Sequence, residues 1–367
     1  MLAGSRNAWL DTLRAIAILS VLLCHVSSSF RQLHPDGDGG WLAAAGIGGH
    51  GVDLFFVLSG WLLGCLLLNE KKTTSKINIK RFWVRRWLRT LPAYYAILLL
   101  TLGQRILQER GQVEDTFYFV FVQNYAFDPL PFFVISWSLC IEEQFYLLIA
   151  PLLFILRRKE WITVALALLI LIPMAGRWLV GDSNPWMTHL RIDGCAFGVL
   201  LAHVHINHPR LWKWLHFLAP WGILIGLGAL LILALQRFRG EYGEMPLAGY
   251  TLLSGCLVVQ SQATWFWKQK ASNSLLRYIA SRSYSLYLVH IEALAIARRL
   301  DDGRFLVYLL VTVLFSLILA ELLHRYVERP FMTFRDRRKS DPSLAENNLS
   351  VITKASNAFV EFRNASK

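Results

Sequence analysis

Between Trp9 and Tyr326 the chain alternates apolar runs of about twenty residues with short, mostly basic connections. Runs of that length suit helices that cross a hydrocarbon core about 30 Å thick. Ten are predicted to cross: 9–29, 51–68, 92–109, 137–156, 161–180, 189–206, 213–235, 246–263, 280–297 and 305–326. The stretch 117–134, FYFVFVQNYAFDPLPFFV, is equally apolar but is broken by Asn124, Asp128, Pro129 and Pro131. It reads as a half-buried or re-entrant piece. The pattern specifies an all-α fold, a polytopic integral membrane bundle of about ten transmembrane helices over residues 1–339. A polar, aperiodic tail, 340–367, is expected to be disordered and cytoplasmic.

Charge placement orients the bundle. Eight Lys or Arg fall in 69–91, three in 157–160, four in 264–282 and five in 329–339. All four segments share one side if there are ten spans and 117–134 does not cross. The positive-inside rule then puts both termini in the cytoplasm and the protein in the cell's inner (plasma) membrane. The first run shows no cleavage site and reads as a retained span. Only 17% of the 367 residues are charged and 55% are hydrophobic, which excludes an ordinary soluble domain. The net charge of +13 sits in loops that carry orientation signals, so nucleic acid is not an expected partner. The five cysteines lie inside apolar runs without metal-type spacing, and no metal is expected.

Several spans nevertheless carry charge, which costs about 2.5–3.5 kcal/mol per residue at the membrane centre and so marks function. In WLDTLRAIAILSVLLCHV, Arg14 and His25 are eleven residues apart. That is just over three helical turns, so both point the same way, about 16 Å apart along the axis. Asp53, Glu142, Glu143, Arg191, Asp193 and His290 fall at similar depth in four further spans, on the side where His25 lies. Packed inward, they could share one polar cavity. On the basic side, Arg86 and Arg89 are at i, i+3 just before Pro92, so both can grip one anion. Ser59 and the Gly60/Gly64 pair read as small residues for helix packing.

These segments resemble the acyltransferase-3 family of membrane O-acyltransferases. LDTLRAIAILSVLLCH is similar to the family's first-helix pattern through Arg14 and His25. GVDLFFVLSGWLLG, with Asp53 and Ser59, and RRWLRTLPAYY, with Arg86 and Arg89, match the next two patterns. WSLCIEEQFYLLIAPLL, HLRIDGCAFG, SYSLYLVH and YVERPF, containing Glu142, Glu143, Arg191, Asp193, His290 and Glu328, follow in the family's order, and the likeness covers about 8–335. The resemblance implies transfer of an acyl group, most often acetyl, from acyl-CoA to a hydroxyl of a carbohydrate or lipid-linked glycan. It marks His25 as catalytic, Arg14 as its essential companion, Arg86 and Arg89 as donor-side residues and Glu328 as an important acid. Some family members carry a C-terminal hydrolase-like domain; this chain reads as a stand-alone enzyme.

The chemistry follows from residue types. A hydroxyl is a poor nucleophile, and a neutral imidazole can take its proton as attack begins. His25 is the candidate general base, with Asp53 or Glu142 to fix its tautomer. Arg14, Arg86 and Arg89 would hold the phosphates of acetyl-CoA, or another acyl-CoA, at the cytoplasmic end of one internal passage leading to His25. Lipids surround the bundle. The main alternative from another class is a proton-coupled transporter or exporter of a sugar or acyl compound, because buried Arg, Asp, Glu and His serve that task too. A structural subunit of a polysaccharide-assembly complex is a third reading.

Overall fold

A computed structural model describes residues 7–35, 40–127, 129–181, 186–241, 243–262 and 274–337. The predicted tail, 340–367, lies outside the described residues, as does Asp128. Among the described residues the secondary structure is entirely helical. Ten principal helices are α1 Ala8–Leu33, α2 Gly51–Thr74, α3 Ile79–Leu107, α4 Ser136–Ile155, α5 Lys159–Val180, α6 Asp193–Asn207, α7 Pro209–Phe238, α8 Leu247–Gln260, α9 Ser283–Arg299 and α10 Phe305–Leu323. Each overlaps one predicted span. Among the described residues six helical segments are long and apolar enough to cross a bilayer: those holding α1, α2, α4, α5, α7 and α10. This makes the chain a multi-pass membrane protein. α3 is too charged over its first turns to meet that description, and α6, α8 and α9 are short. α6 is shortened because its segment breaks at Ile192, leaving Thr188–Arg191 as a separate turn.

The region 117–134 contains no long helix. It holds parts of a 3-10 helix, Val113–Val120, and the short helix Gln123–Ala126, then runs irregularly to α4. Two of its buried amides donate inside the protein. Gln123 Nε2 donates to Ser136 Oγ (3.1 Å), and Asn124 Nδ2 to Thr188 Oγ1 (2.9 Å). Irregular backbone at membrane depth needs such partners, because lipid supplies none.

Packing separates a centre from a periphery. The segment Gly40–Thr74 buries 67% of its most apolar stretch, whereas α7 buries 11%. The outer face of α7 exposes Trp214, Phe217, Trp221 and Ile225, apolar surface that suits lipid rather than water. At the centre, α2 and α6 approach through glycine. A Cβ on Gly60 would lie 2.0 Å from Cys195 O, and one on Gly198 would lie 2.2 Å from Val57 O. The Gly60/Gly64 expectation therefore holds, and Gly198 completes the contact from the other helix.

α3 departs from expectation. Pro92 was expected to open a span, but the helix runs through it from Ile79 to Leu107. Side-chain hydroxyls donate to carbonyls near the proline: Thr90 Oγ1 to Arg86 O (3.2 Å) and Tyr284 OH to Thr90 O (2.8 Å). The carbonyl that Pro92 leaves without its helical donor is Leu88 O, four residues earlier, and these hydroxyls brace the carbonyls on either side of it. Arg81, Arg85, Arg86 and Arg89 consequently sit on the opening turns of this same helix.

Candidate functional site

Two cavities occupy opposite ends of the same helices. The larger, about 1050 Å³, lies at the end where α1, α3 and α9 begin. Seven Lys or Arg line it against two Glu, with Arg14, Arg85, Arg86, Arg89 and Arg335 among the cations. It continues inward along Ser59, Phe55, Glu142 and Tyr287. Arg335 was not anticipated. It arrives because α10 passes into a π turn, His324–Glu328, and then a helix, Arg329–Arg337, that returns beside α3.

Inside this cavity one cluster joins α2, α3 and α4. Arg86 Nη2 donates to Tyr146 OH, which donates to Glu142 Oε2. The Arg86 guanidinium also lies 4.3 Å from the Tyr146 ring centroid and 3.7 Å from Glu142 Oε2. Ser59 Oγ is 3.3 Å from Tyr146 OH. Ser59 thus faces the cavity and is more than a packing residue. Glu143 points aside from this cluster and accepts from Thr90 Oγ1 at 2.8 Å. Tyr146, absent from the sequence reading, lies four residues after Glu142 and so shares its face; that spacing was the available signal.

The smaller cavity, about 260 Å³, lies toward the other end of α1 and α9 and has His25 in its wall. His25 Nδ1 and His290 Nε2 are 2.7 Å apart. Their planes differ by 5° with centroids 4.9 Å apart, so the rings meet edge to edge through these nitrogens. His290 Nδ1 is 2.8 Å from Tyr287 O. A carbonyl can only accept, so His290 carries its proton on Nδ1 and offers the Nε2 lone pair. His25 must then donate from Nδ1, and in its neutral form Nε2 carries the free lone pair. The expected acid beside His25 is not there. Asp53 and Glu142 are engaged elsewhere, and a buried imidazole holds the tautomer.

The remaining charges form a belt of ion pairs instead of lining a shared cavity. Arg191 Nη1 donates to Asp53 Oδ1 (2.6 Å), and His50 Nδ1 lies 2.9 Å from Asp53 Oδ2. Arg177 Nη2 donates to Asp193 Oδ2 (2.6 Å). The Arg191 guanidinium sits near the rings of Phe56 (5.6 Å) and Trp137 (5.8 Å). Asp53, Arg191 and Asp193 are all buried. Glu328 is likewise internal, accepting from Ser285 Oγ (2.8 Å) and His324 Nδ1 (2.9 Å). The π turn that contains Glu328 is a local widening of the kind often found near functional sites.

Arg14 and His25 thus border different cavities. The single passage expected from their shared stripe is interrupted. Tyr287 lines the large cavity, Ile291 lines the small one, and fully buried His290 lies between them. Four residues of α9, about 6 Å of helix, make the partition.

The model for the acyltransferase domain of this family matches residues 7–324. The chain belongs to the acyltransferase-3 family. Curated relatives agree. OatA of Listeria monocytogenes, named a peptidoglycan O-acetyltransferase, is 27% identical over 88% of this chain and 55% of its own length. A Bacillus subtilis protein provisionally named a peptidoglycan O-acetyltransferase is 29% identical, covering 96% of this chain and 60% of its own. A Staphylococcus aureus protein provisionally named an O-acetyltransferase is 29% identical over 88% of this chain and 56% of its own. The chain therefore spans little more than half the length of these relatives. No solved structure matches it.

Proposed function

We propose that this acyltransferase-3 chain is a membrane O-acyltransferase that moves an acetyl group from acetyl-CoA to a hydroxyl of a cell-envelope glycan, with a cell-wall glycan first among candidates. The observation that carries this reading is the placement of two unlike sites on shared helices. A large cationic cavity lies at one end, and an imidazole with its tautomer set lies toward the other. The names of the relatives support the acetyl group and the glycan; family membership favours transfer over proton-coupled transport. The topology proposed is ten spans in the plasma membrane with both termini in the cytoplasm, which puts the cationic cavity on the side where acetyl-CoA is made.

The residues divide the work. Arg14, Arg86 and Arg89 hold the donor phosphates, with Arg335 on the same rim. A cavity of about 1050 Å³ is at the upper end of the roughly 300–1,000 Å³ typical of ligand pockets, as a nucleotide-bearing thioester needs. The acetyl end reaches inward past Glu142 and Ser59 to Tyr287, and the turn of α9 between Tyr287 and Ile291, which separates the two cavities in this structure, must shift for it to meet the acceptor hydroxyl beside His25. His25 Nε2 takes the proton from the acceptor hydroxyl as its oxygen attacks the thioester carbonyl. The tetrahedral intermediate collapses, the C–S bond breaks, and the departing coenzyme A thiolate takes the proton held on His25 Nε2, which restores the neutral imidazole. His290, through its own bond to Tyr287 O, keeps the His25 proton on Nδ1 throughout.

The test is direct. Purified chain in lipid nanodiscs, given acetyl-labelled acetyl-CoA and a cell-wall oligosaccharide, should form a labelled ester. His25→Ala should lower that transfer about 10²–10⁴-fold while coenzyme A still binds. Undiminished transfer by His25→Ala would remove the base from the mechanism.

A further inference from the structure

The geometry points to the small cavity as the acceptor subsite, built for one sugar residue whose hydroxyl meets His25. The inference rests on the acyltransferase reading above and adds the place and chemistry of the second substrate. Its walls are two matched helix faces. His25, Ser28, Ser29 and Gln32 are spaced i, i+3, i+4, i+7 on α1; Ile291, Leu294, Ala295 and Arg298 repeat that spacing on α9. Such spacing gives one continuous stripe on each helix, so the cavity is a groove between parallel stripes. From His25 to Gln32 it runs about 10 Å, two helical turns.

The two walls differ in chemistry. α1 contributes hydroxyls and an amide; α9 contributes an apolar surface with Arg298 at its end. A pyranose has the complementary form, with hydroxyl edges and an apolar C–H face. The mouth is already organised. Arg298 Nε donates to Ser29 Oγ (2.8 Å), and its Nη2 donates to Gln32 Oε1 (3.0 Å). Ser29 Oγ is also 2.7 Å from Tyr308 OH, which ties the polar wall to α10. With its Oε1 held by Arg298, Gln32 presents its amide N–H groups, donors suited to a ring oxygen or the carbonyl of an N-acetyl group. Ser28, Gln32, Ala295 and Arg298 are exposed while His290 is fully buried, so the groove is open along its side as far as Gln32 and closes at the imidazoles. At about 260 Å³ it is smaller than typical ligand pockets and suits a single sugar unit, with the rest of a glycan outside.

The test separates occupancy from turnover. A Ser28→Cys variant is labelled with a membrane-impermeant maleimide, over the parent chain's background, with and without chitotriose, an N-acetylated glucosamine oligomer. Chitotriose should slow labelling at least fivefold and coenzyme A should not. Separately, Gln32→Leu and Arg298→Met should each raise the KM for chitotriose about tenfold, the loss of roughly one good hydrogen bond, with the KM for acetyl-CoA unchanged. Acetyl transfer to chitotriose with no protection at Ser28→Cys and unaltered acceptor KM would overturn the subsite while leaving the proposed function standing. Absence of transfer to any glycan by the parent chain would overturn that function instead.

Discussion

Two groups of internal charge in this bundle behave as opposites. The belt of Asp53, His50, Arg191, Asp193 and Arg177 is paired within itself, Arg191 to Asp53 at 2.6 Å and Arg177 to Asp193 at 2.6 Å, and borders neither cavity described. The cluster of Arg86, Glu142, Tyr146 and Ser59 is also internally bonded, yet Arg86, Glu142 and Ser59 face a large cavity with an excess of cations. From the sequence Asp53, Glu142, Arg191 and Asp193 look alike, because each is an ionisable residue inside an apolar run. The contrast teaches that membrane charge marks chemistry only when its partners leave it a face toward open space. A closed ion pair is a structural device, costly to break and indifferent to substrate.

That contrast can be broken in four ways, in descending size. Asp53→Ala strands a buried guanidinium, and removing one member of a buried pair costs about 3–5 kcal/mol. Thermal unfolding in detergent should show a severe loss of folded protein, whereas Asp53→Leu combined with Arg191→Met should recover much of it. A stable Asp53→Ala variant with a changed donor KM would place the belt in the site. His290→Phe removes the acceptor of His25 Nδ1–H and frees the tautomer. The kcat should fall about a hundredfold, near 2.7 kcal/mol, with both KM values held; an unchanged kcat would reduce His290 to packing. Arg89→Gln should weaken coenzyme A binding about tenfold, near 1.4 kcal/mol, in a calorimetric titration, and the effect should shrink as salt rises. Ser59→Ala loses a 3.3 Å contact to Tyr146 and a hydroxyl beside Glu142, and should change kcat less than threefold.

Much of the architecture was legible in the residues. Apolar run length located all ten principal helices, and prolines with polar residues kept 117–134 from being read as one more. Spacing along one helix was also reliable. Arg86 and Arg89 do share a cavity, and Gly60 does mark the tightest approach of α2 to α6. What failed was matching across helices. Periodicity says which way a residue faces but not which neighbour it meets. His25 finds His290, 265 positions away, instead of Asp53 or Glu142. For the same reason one shared stripe on α1 suggested one passage, whereas a single turn of α9 divides it. The return of Arg335 to the cationic rim depends on the π turn after α10, which no pattern of apolar positions announces.

In the mechanism proposed above, donor and acceptor reach the chemistry from opposite faces of the membrane. Proteoliposomes test it, with acetyl-labelled acetyl-CoA sealed in the lumen and chitotriose supplied only outside. The account predicts labelled ester on the external sugar from vesicles carrying the parent chain and none from those carrying His25→Ala. Label that forms only when donor and sugar share a compartment would contradict it.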